Sequence, residues 1–288
     1  MNLDPRLNAF RSDLADSRLK GRVEAARFVD GRAMTVRVPL ADLRRRPAAD
    51  APLETQALCG ERVTVFEDEG EGWAWVQLAG DGYVGWMESE ALAAAPQTSP
   101  RWRVDAPRTL VFPGPDIKLP PLHALPMGAL IAERGTTRDH NASYVLVEPF
   151  GAVVAQHLVP AGDVAEDFVA VAARLLGAPY LWGGKSALGI DCSGLVQLSL
   201  AQAGIDAPRD ADMQERWAAP LDPAARRRRG DLVFWKGHVG IMADETQLLH
   251  ANAHHMMTAI EPLADALARY EAKDSPVTSI ARPMSLDA

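Results

Sequence analysis

The hydrophobic pattern of this chain changes its period at Asp163. From Thr35 to Leu92, short runs of alternating apolar and polar residues are separated by glycines, as in strands joined by turns. After Asp163, apolar residues recur at helical spacing until Gly177. Since 288 residues exceed what one ordinary core holds, we expect an all-β N-terminal part and an α+β C-terminal part.

The N-terminal part contains two β-rich regions. The strand spacing of the first predicts a small β-barrel. The second runs from Trp102 to Pro160, after a predicted linker at Ala93–Pro100. Both regions end in a β-run, a glycine turn (Gly82 or Gly151) and another β-run. We therefore interpret them as diverged copies of one barrel.

The first 30 residues carry apolar side chains at helical spacing. These are Leu3, Leu7, Phe10 and Leu14. They predict a short helix packed on a neighbouring domain. The predicted domains are 1–95 (N-terminal helix and first barrel), 100–162 (second barrel) and 163–288 (catalytic domain).

Charge and cysteine content exclude several classes of protein. The net charge of −8 argues against nonspecific nucleic-acid binding, so Arg226–Arg229 is expected to be a solvated loop. Two cysteines, Cys59 and Cys192, cannot build a disulfide framework. Neither a signal peptide nor an apolar run of the ~18 residues that span a bilayer is visible. We expect a protein of the cytoplasm, without a membrane segment, where thiols stay reduced.

Cys192 stands at a predicted helix start. Asp191 precedes it as a candidate N-cap, and the apolar-periodic segment behind it closes at Gly204. Unpaired amides and the helix dipole in a first turn favour a negative charge, and the thiolate is the nucleophilic form of cysteine. The sequence therefore predicts Cys192 as an ionised nucleophile. Cys59 lacks this context and is predicted to be an inert core residue.

A nucleophilic cysteine needs an imidazole base and a third group that orients the imidazole. If the strands around His238 and His250 form a hairpin centred on Asp244, paired positions sum to 488, and these two histidines lie directly opposite each other on one face. We predict His238 as the base and His250 as its partner.

A zinc site is the alternative for this histidine-rich segment. Its ligands would come from His250, His254, His255 and Cys192. The residues around His250 have the pattern of a strand, which breaks the helical i, i+4 spacing. We therefore expect no metal.

Five short motifs of the C-terminal part carry a family resemblance. They are YLWGG at 180–184, DCSGL at 191–195, GDLVFW at 230–235, HVGI at 238–241 and LHA at 249–251. In this order they resemble the motif series of the NlpC-type cysteine peptidases. The resemblance implies a papain-like α+β domain that hydrolyses bacterial cell-wall peptides without a cofactor. It also implies that Cys192 is the nucleophile, His238 the base and later acid, and His250 the orienting residue.

The N-terminal part resembles the paired bacterial SH3-like barrels that precede this domain in some enzymes. PDIK at 115–118 and GYVGW at 82–86 fit that arrangement. The expected fold is thus an α+β papain-like domain preceded by two small all-β SH3-like barrels. Such enzymes cut the bond between γ-linked D-Glu and the diamino acid in murein peptides, require a free N-terminal L-Ala, and serve the recycling of wall fragments.

The same resemblance implies residues that bind the murein peptide, L-Ala-γ-D-Glu-diamino acid. Asp191 is the acid beside the nucleophile, and Ser193 and Tyr180 are further candidates. Tyr83 and Glu54 are the candidates from the first barrel. The Cys192 amide and the Tyr180 hydroxyl are expected to stabilise the oxyanion.

Two other functions stay open. One is a catalytically idle wall-peptide binding protein whose barrels hold the ligand. The other is a thiol amidase or acyltransferase with a different substrate. The presence of Cys192, His238 and His250 together argues against the idle binder.

Overall fold

A computed structural model describes residues 3–68, 70–94, 99–222 and 225–283. The chain forms two compact units, Met1–Asp163 and Val164–Ala288. The boundary falls where the hydrophobic pattern changes period.

The first β-region of the N-terminal unit contains nine short strands. They are β1 (Leu14–Asp16), β2 (Arg27–Val29), β3 (Arg32–Val36), β4 (Leu40–Arg44), β5 (Leu53–Leu58), β6 (Arg62–Asp68), β7 (Trp73–Leu78), β8 (Val84–Glu88) and β9 (Leu92–Ala93). Strands β3 to β9 form one antiparallel sheet in the order β5-β4-β8-β7-β6-β3-β9. A 3₁₀ turn, Ser89–Ala91, joins β8 to β9.

The helix predicted for the first 30 residues is wrong. The described residues 3–30 contain no α-helix: they form turns, the 3₁₀ turn Ser17–Leu19 and the two short strands β1 and β2, which pair in parallel. Two of their carbonyls bond outside the segment: the Val84 amide donates to the Arg6 carbonyl, and the Gln77 side chain donates to the Leu7 carbonyl. Leu14 is buried in an apolar cluster with Trp75. These tertiary bonds replace the helical bonds that the apolar spacing suggested.

The second β-region has eight strands and its own core. The strands are β10 (Trp102–Val104), β11 (Arg108–Phe112), β12 (His123–Pro126), β13 (Leu130–Ile131), β14 (Glu133–Arg138), β15 (Ser143–Val147), β16 (Ala152–Val154) and β17 (Leu158–Pro160). They form the sheets β12-β11-β16-β15-β14 and β13-β10-β17. A 3₁₀ turn, Ala155–His157, precedes β17. Of the predicted linker Ala93–Pro100, residues 95–98 lie outside the described residues.

Cys59 packs against the core of the second β-region. Its carbonyl accepts a hydrogen bond from the Leu130 amide. Burial raises the pKa of the Cys59 thiol to about 11. This environment agrees with the predicted inert role.

The C-terminal unit is an α+β fold. Its elements are α1 (Phe168–Ala173), β18 (Lys185–Ser186), β19 (Gly189–Ile190), α2 (Cys192–Gln202), α3 (Ala211–Trp217), β20 (Ala219–Pro220), β21 (Leu232–Trp235), β22 (His238–Met242), β23 (Gln247–Asn252), β24 (Met257–Pro262), α4 (Leu263–Glu271) and β25 (Val277–Arg282). The antiparallel sheet has the order β20-β25-β21-β22-β23-β24. Helix α2 packs against α1, β22 and β23.

Helix α4 covers one face of this sheet. Leu263 and Ala266 of α4 share an apolar cluster with Trp235, Met242 and Leu248. Because side chains alternate along a strand, this face of β22 and β23 carries every second residue, counted from Met242 and from Leu248. No helix among the described residues is long and apolar enough to cross a bilayer.

Candidate active site

Cys192 is the first residue of α2, as predicted. Asp191 is its N-cap, and its Oδ1 accepts a hydrogen bond from the Gly194 amide at 2.7 Å. Gly194 is required here, because a Cβ at this position would lie 2.4 Å from the Gly184 carbonyl oxygen. The helix ends at Gln202, and Gly204 follows with a left-handed φ of 75°. Cys192 is 5 % exposed.

A buried ion pair fixes the start of α2. Arg209, which is 1 % exposed, donates to both oxygens of Asp191, at 2.9 and 2.8 Å. The Gly183 amide donates to Oδ2 at 2.8 Å. Together with Gly194, four N–H groups occupy the acceptor positions of this carboxylate. The sequence offered no signal for Arg209, which is an isolated arginine in a loop.

His238 and His250 meet, but the predicted hairpin register is wrong. Nε2 of His238 lies 2.9 Å from Nδ1 of His250. The paired residues of β22 and β23 are Ile241 with Leu249 and Met242 with Leu248, so paired positions sum to 490, not 488. The two histidines are therefore diagonal neighbours. A shift of two residues keeps a side chain on its face, so the imidazoles still touch.

The physical reason for the register lies in the turn. The Asp244 carboxylate accepts hydrogen bonds from the amides of Thr246 and Gln247. Asp244 therefore begins the turn rather than standing at its centre. Sequence reasoning placed the centre one residue too early.

A second set of side chains forms a hydrogen-bonded group next to the two histidines. Strand alternation places His238, His250 and Glu261 on the face that α4 covers. Nε2 of His250 lies 2.8 Å from Oε1 of Glu261, and Arg269 of α4 contacts both oxygens of Glu261. None of Glu261, Arg269 and Tyr270 was predicted from the sequence.

Tyr270, the residue after Arg269, stacks on the His238 ring with centroids 5.3 Å apart. Burial first, and then the charge of Cys192, raises the pKa of Tyr270 to about 12. The same two causes, in the same order, raise the pKa of Tyr180. Both phenols are therefore within electrostatic reach of the sulfur, as is the Val239 amide, which hydrogen-bonds to it.

The protonation of the site differs from the prediction. Burial, and secondly the charge of Asp191, raises the pKa of Cys192 to about 12, although the Val239 and Ser193 amides and Arg209 act in the opposite direction. Burial lowers the pKa of His238 to about 3 and that of His250 to about 4. Burial therefore acts against the ionised form of Cys192 that was predicted for the helix start. Desolvation is the largest contribution to this shift of the Cys192 pKa.

The histidine-rich segment is arranged for hydrogen bonding. Among the described residues, the candidate metal-binding group comprises His250, His255 and Glu261, whose ligand atoms lie within 4.8 Å of one another, and it differs from the zinc ligands considered as an alternative. Both nitrogens of His250 already have partners, and the Arg269 cation contacts Glu261. A divalent cation would face that positive charge.

The candidate substrate-binding residues lie in both units. In the C-terminal unit, Ser193 accepts a hydrogen bond from Arg209 at 2.9 Å, and Tyr180 bridges to Ile190. In the N-terminal unit, Tyr83 is 2 % exposed, and Glu54 of β5 is hydrogen-bonded to Arg45. Their roles toward substrate, like that of Asp191, stay predictions.

Comparison with known proteins identifies the two folds. Residues 177–271 match the NlpC/P60 family, and residues 43–92 match the bacterial dipeptidyl-peptidase Sh3 domain. The γ-D-glutamyl-L-lysine dipeptidyl-peptidase of Bacillus subtilis is 32 % identical over 235 residues, which cover 73 % of this chain and 76 % of the relative. The protein of the same name from Bacillus cereus is 28 % identical over 242 residues, covering 73 % and 71 %.

A solved structure supports the same assignment of fold. An NlpC/P60 family protein from Bacillus cereus superimposes with a TM-score of 0.73 at 22 % identity, covering 88 % of this chain and 100 % of that chain. With the sequence match to the Bacillus subtilis relative, this establishes the family. The chain belongs to the NlpC/P60 family and is a peptidase with a papain-like catalytic fold and an SH3-like N-terminal domain.

Proposed function

We propose that this chain is a cysteine peptidase that hydrolyses the γ-D-glutamyl-diamino acid bond of murein peptides with a free N-terminal L-Ala. The observation that carries the proposal is the position of Cys192 at the start of α2, where the amide of Val239, the residue after His238, hydrogen-bonds to its sulfur, while the His238 ring is hydrogen-bonded to His250. The names of two relatives that match 73 % of this chain supply the substrate class.

The reaction follows from these positions. The Cys192 proton passes to His238 as Sγ attacks the γ-carbonyl carbon of D-Glu. The oxyanion accepts hydrogen bonds from the Cys192 amide and the Tyr180 hydroxyl. His238 then protonates the leaving nitrogen, and the C–N bond breaks. Water gives one proton to His238 and attacks the thioester, the C–S bond breaks, and that proton returns to the sulfur.

We further propose that the second β-region is a diverged SH3-like barrel. Its last elements have the order strand, strand, 3₁₀ turn, strand (β15, β16, Ala155–His157, β17). The first region ends in the same order (β7, β8, Ser89–Ala91, β9). This shared order supports one ancestral barrel for both.

The free amine of the substrate is proposed to bind near Asp191, Ser193 and Tyr180 of the C-terminal unit. Tyr83 and Glu54 stay separate peptide-binding candidates within the N-terminal unit. Glu54 and Tyr83 both lie within electrostatic reach of Arg45. A peptide with a free amino terminus is a released wall fragment, so we propose that the enzyme recycles such fragments in the cytoplasm. Cell fractionation with an antibody against the chain tests the location, and recovery outside the cytoplasm would contradict it.

The substrate is tested with L-Ala-γ-D-Glu-diaminopimelate and its N-acetylated form, followed by mass spectrometry. We expect the free peptide to yield L-Ala-γ-D-Glu and diaminopimelate. Acetylation removes the charge of the amine, so cleavage should fall by about 10–100-fold. Equal cleavage of both peptides would reject the amine requirement. The Cys192→Ala variant serves as the inactive control.

The same experiment separates the rival functions when it is combined with alkylation of the thiols. If neither peptide is cut but Cys192 reacts rapidly with iodoacetamide, a thiol amidase or acyltransferase with another substrate is the better assignment. If Cys192 reacts no faster than the partly buried Cys59, an idle binder is the better assignment.

A further inference from the structure

We propose that Glu261, held by Arg269, is a positioning residue that fixes the tautomers of His250 and His238, so that His238 offers Cys192 an unprotonated ring nitrogen. The inference rests on the proposed function only in taking His238 as the base for Cys192. It adds Glu261, as a positioning carboxylate at the end of a hydrogen-bonded chain, to Cys192, His238 and His250.

The geometry forms one continuous chain of hydrogen bonds. Glu261 Oε1 lies 2.8 Å from His250 Nε2, and His250 Nδ1 lies 2.9 Å from His238 Nε2. His250 is fully buried, and Glu261 is 8 % exposed. Water therefore has little access to these bonds, and each proton on the chain must serve a protein partner.

The carboxylate at the end of the chain is ionised. Burial raises the pKa of Glu261, but hydrogen bonds from Arg269 and His250 outweigh burial and hold the pKa below its usual value. Arg269 Nη1 donates to Oε2 at 2.9 Å, and Nη2 donates to Oε1. An ionised carboxylate accepts hydrogen bonds and cannot donate them.

The proton positions then follow one after another. Because Glu261 only accepts, His250 must carry its proton on Nε2. In a neutral imidazole the other nitrogen is an acceptor, so His250 Nδ1 has no proton. His238 must therefore donate from Nε2. Its Nδ1 is left with a free lone pair, and this is the nitrogen available to the Cys192 thiol.

A salt bridge that merely joins β24 to α4 is the alternative role for Glu261. That role predicts a loss of stability but no change in proton positions. A neutral residue of the same shape separates the two, because glutamine can donate as well as accept. The Glu261→Gln variant therefore removes the constraint while it keeps the volume.

Kinetics and thiol reactivity provide the first test. We expect Glu261→Gln to lower kcat for the murein tripeptide by about 10–100-fold, the usual effect of an outer hydrogen-bond partner, with KM unchanged. Alkylation of Cys192 by iodoacetamide should fall in parallel, because it uses the same base. Glu245→Gln is the matched control, since Glu245 forms an exposed pair with Arg226, and its activity should equal that of the unaltered protein.

Nuclear magnetic resonance supplies the second test, and it needs no substrate. Histidines labelled with ¹⁵N in the Cys192→Ala protein report which ring nitrogen carries the proton, with assignment from His238→Asn and His250→Asn variants. We expect protons on Nε2 of both residues, and loss of this single tautomer in Glu261→Gln. A proton on Nδ1 of His238 in the protein with intact Glu261 would overturn the proposal, even if Glu261→Gln fails to fold.

The outcomes separate this inference from the proposed function. If the tripeptide is not cleaved but Glu261 still controls the tautomers and the alkylation rate, the substrate is wrong and the positioning role stands. If the tripeptide is cleaved and Glu261→Gln changes neither kcat nor the tautomers, the positioning role is wrong.

Discussion

Tyr270 lies face to face with His238, with ring centroids 5.3 Å apart and ring planes 22° apart. Tyr270 also stacks on Trp235, whose ring centroid lies 4.9 Å from that of Tyr270. Helix α4 therefore supports the proposed base directly through Tyr270 and its partner His250 indirectly through Arg269 and Glu261.

Removal of the Tyr270 ring should impair catalysis more than removal of its hydroxyl. We expect Tyr270→Leu to lower kcat several-fold and the free energy of unfolding by about 1 kcal/mol, because the stacked ring that aligns His238 is lost. Tyr270→Phe keeps the ring and should retain most activity. Steady-state kinetics and urea unfolding measure both. An equally large loss of activity in Tyr270→Phe would assign the role to the hydroxyl, which both substitutions remove.

Arg209 should be essential for stability. Arg209→Met leaves the Asp191 carboxylate buried without its cation, which typically costs about 3–5 kcal/mol. Arg216→Met is the matched control, because Arg216 forms an exposed pair with Asp212 and such pairs contribute less than about 1 kcal/mol. Urea unfolding compares the two variants. Equal losses would contradict a special role for the buried pair.

Reactivity of Cys192 should depend on His238. Burial raises the pKa of Cys192 to about 12 and that of Cys59 to about 11, so burial alone makes neither thiol reactive at neutral pH. With His238 as base, we expect Cys192 to be alkylated by iodoacetamide much faster than Cys59. General-base assistance is typically worth about 10²–10⁴-fold, so His238→Ala should slow Cys192 by a factor in this range. Peptide mass spectrometry follows both thiols, and an unchanged rate in His238→Ala would exclude the proton transfer.

The buried histidines should make stability rise with pH below about 6.5. Burial lowers the pKa of His238 to about 3 and of His250 to about 4 from 6.5, so between these values the unfolded chain binds more protons than the folded chain. Each histidine then contributes on the order of 1 kcal/mol per pH unit, lost as the pH falls.

Urea unfolding at pH 5 to 6.5 measures this slope. His250→Gln should reduce it, whereas His254→Gln, at an exposed position, should leave it unchanged. A slope of zero in the unaltered protein would show that the two imidazoles accept protons in the folded state.

Local chemistry explains which parts of the site were predictable. The start of α2 depends on Asp191 and its own neighbours in sequence, so the N-cap and the position of Cys192 at the helix start were predicted correctly. The hairpin register depended on whether Asp244 begins or centres the turn, and periodicity does not distinguish these. The predicted N-terminal helix does not form, because the Leu7 and Arg6 carbonyls accept hydrogen bonds from residues of a sheet that is distant in sequence.

The supporting residues were beyond sequence reasoning for a related reason. Arg209 reaches Asp191 across 18 positions, and Glu261 reaches His250 across 11 positions and a change of strand. Each is an ordinary charged residue until the fold buries it beside its partner. Burial is what distinguishes these two residues from other charged residues, and a single sequence does not show which charged residues are buried.

The Asp191 carboxylate connects two segments of backbone through hydrogen bonds. It accepts from Gly183, beside the exposed Trp182, and from Gly194, in the first turn of the helix that carries the sulfur. We therefore expect a displacement of the loop at Gly183 to reach the first turn of α2 through this carboxylate. A molecule bound against the Trp182 indole would then also shift Cys192.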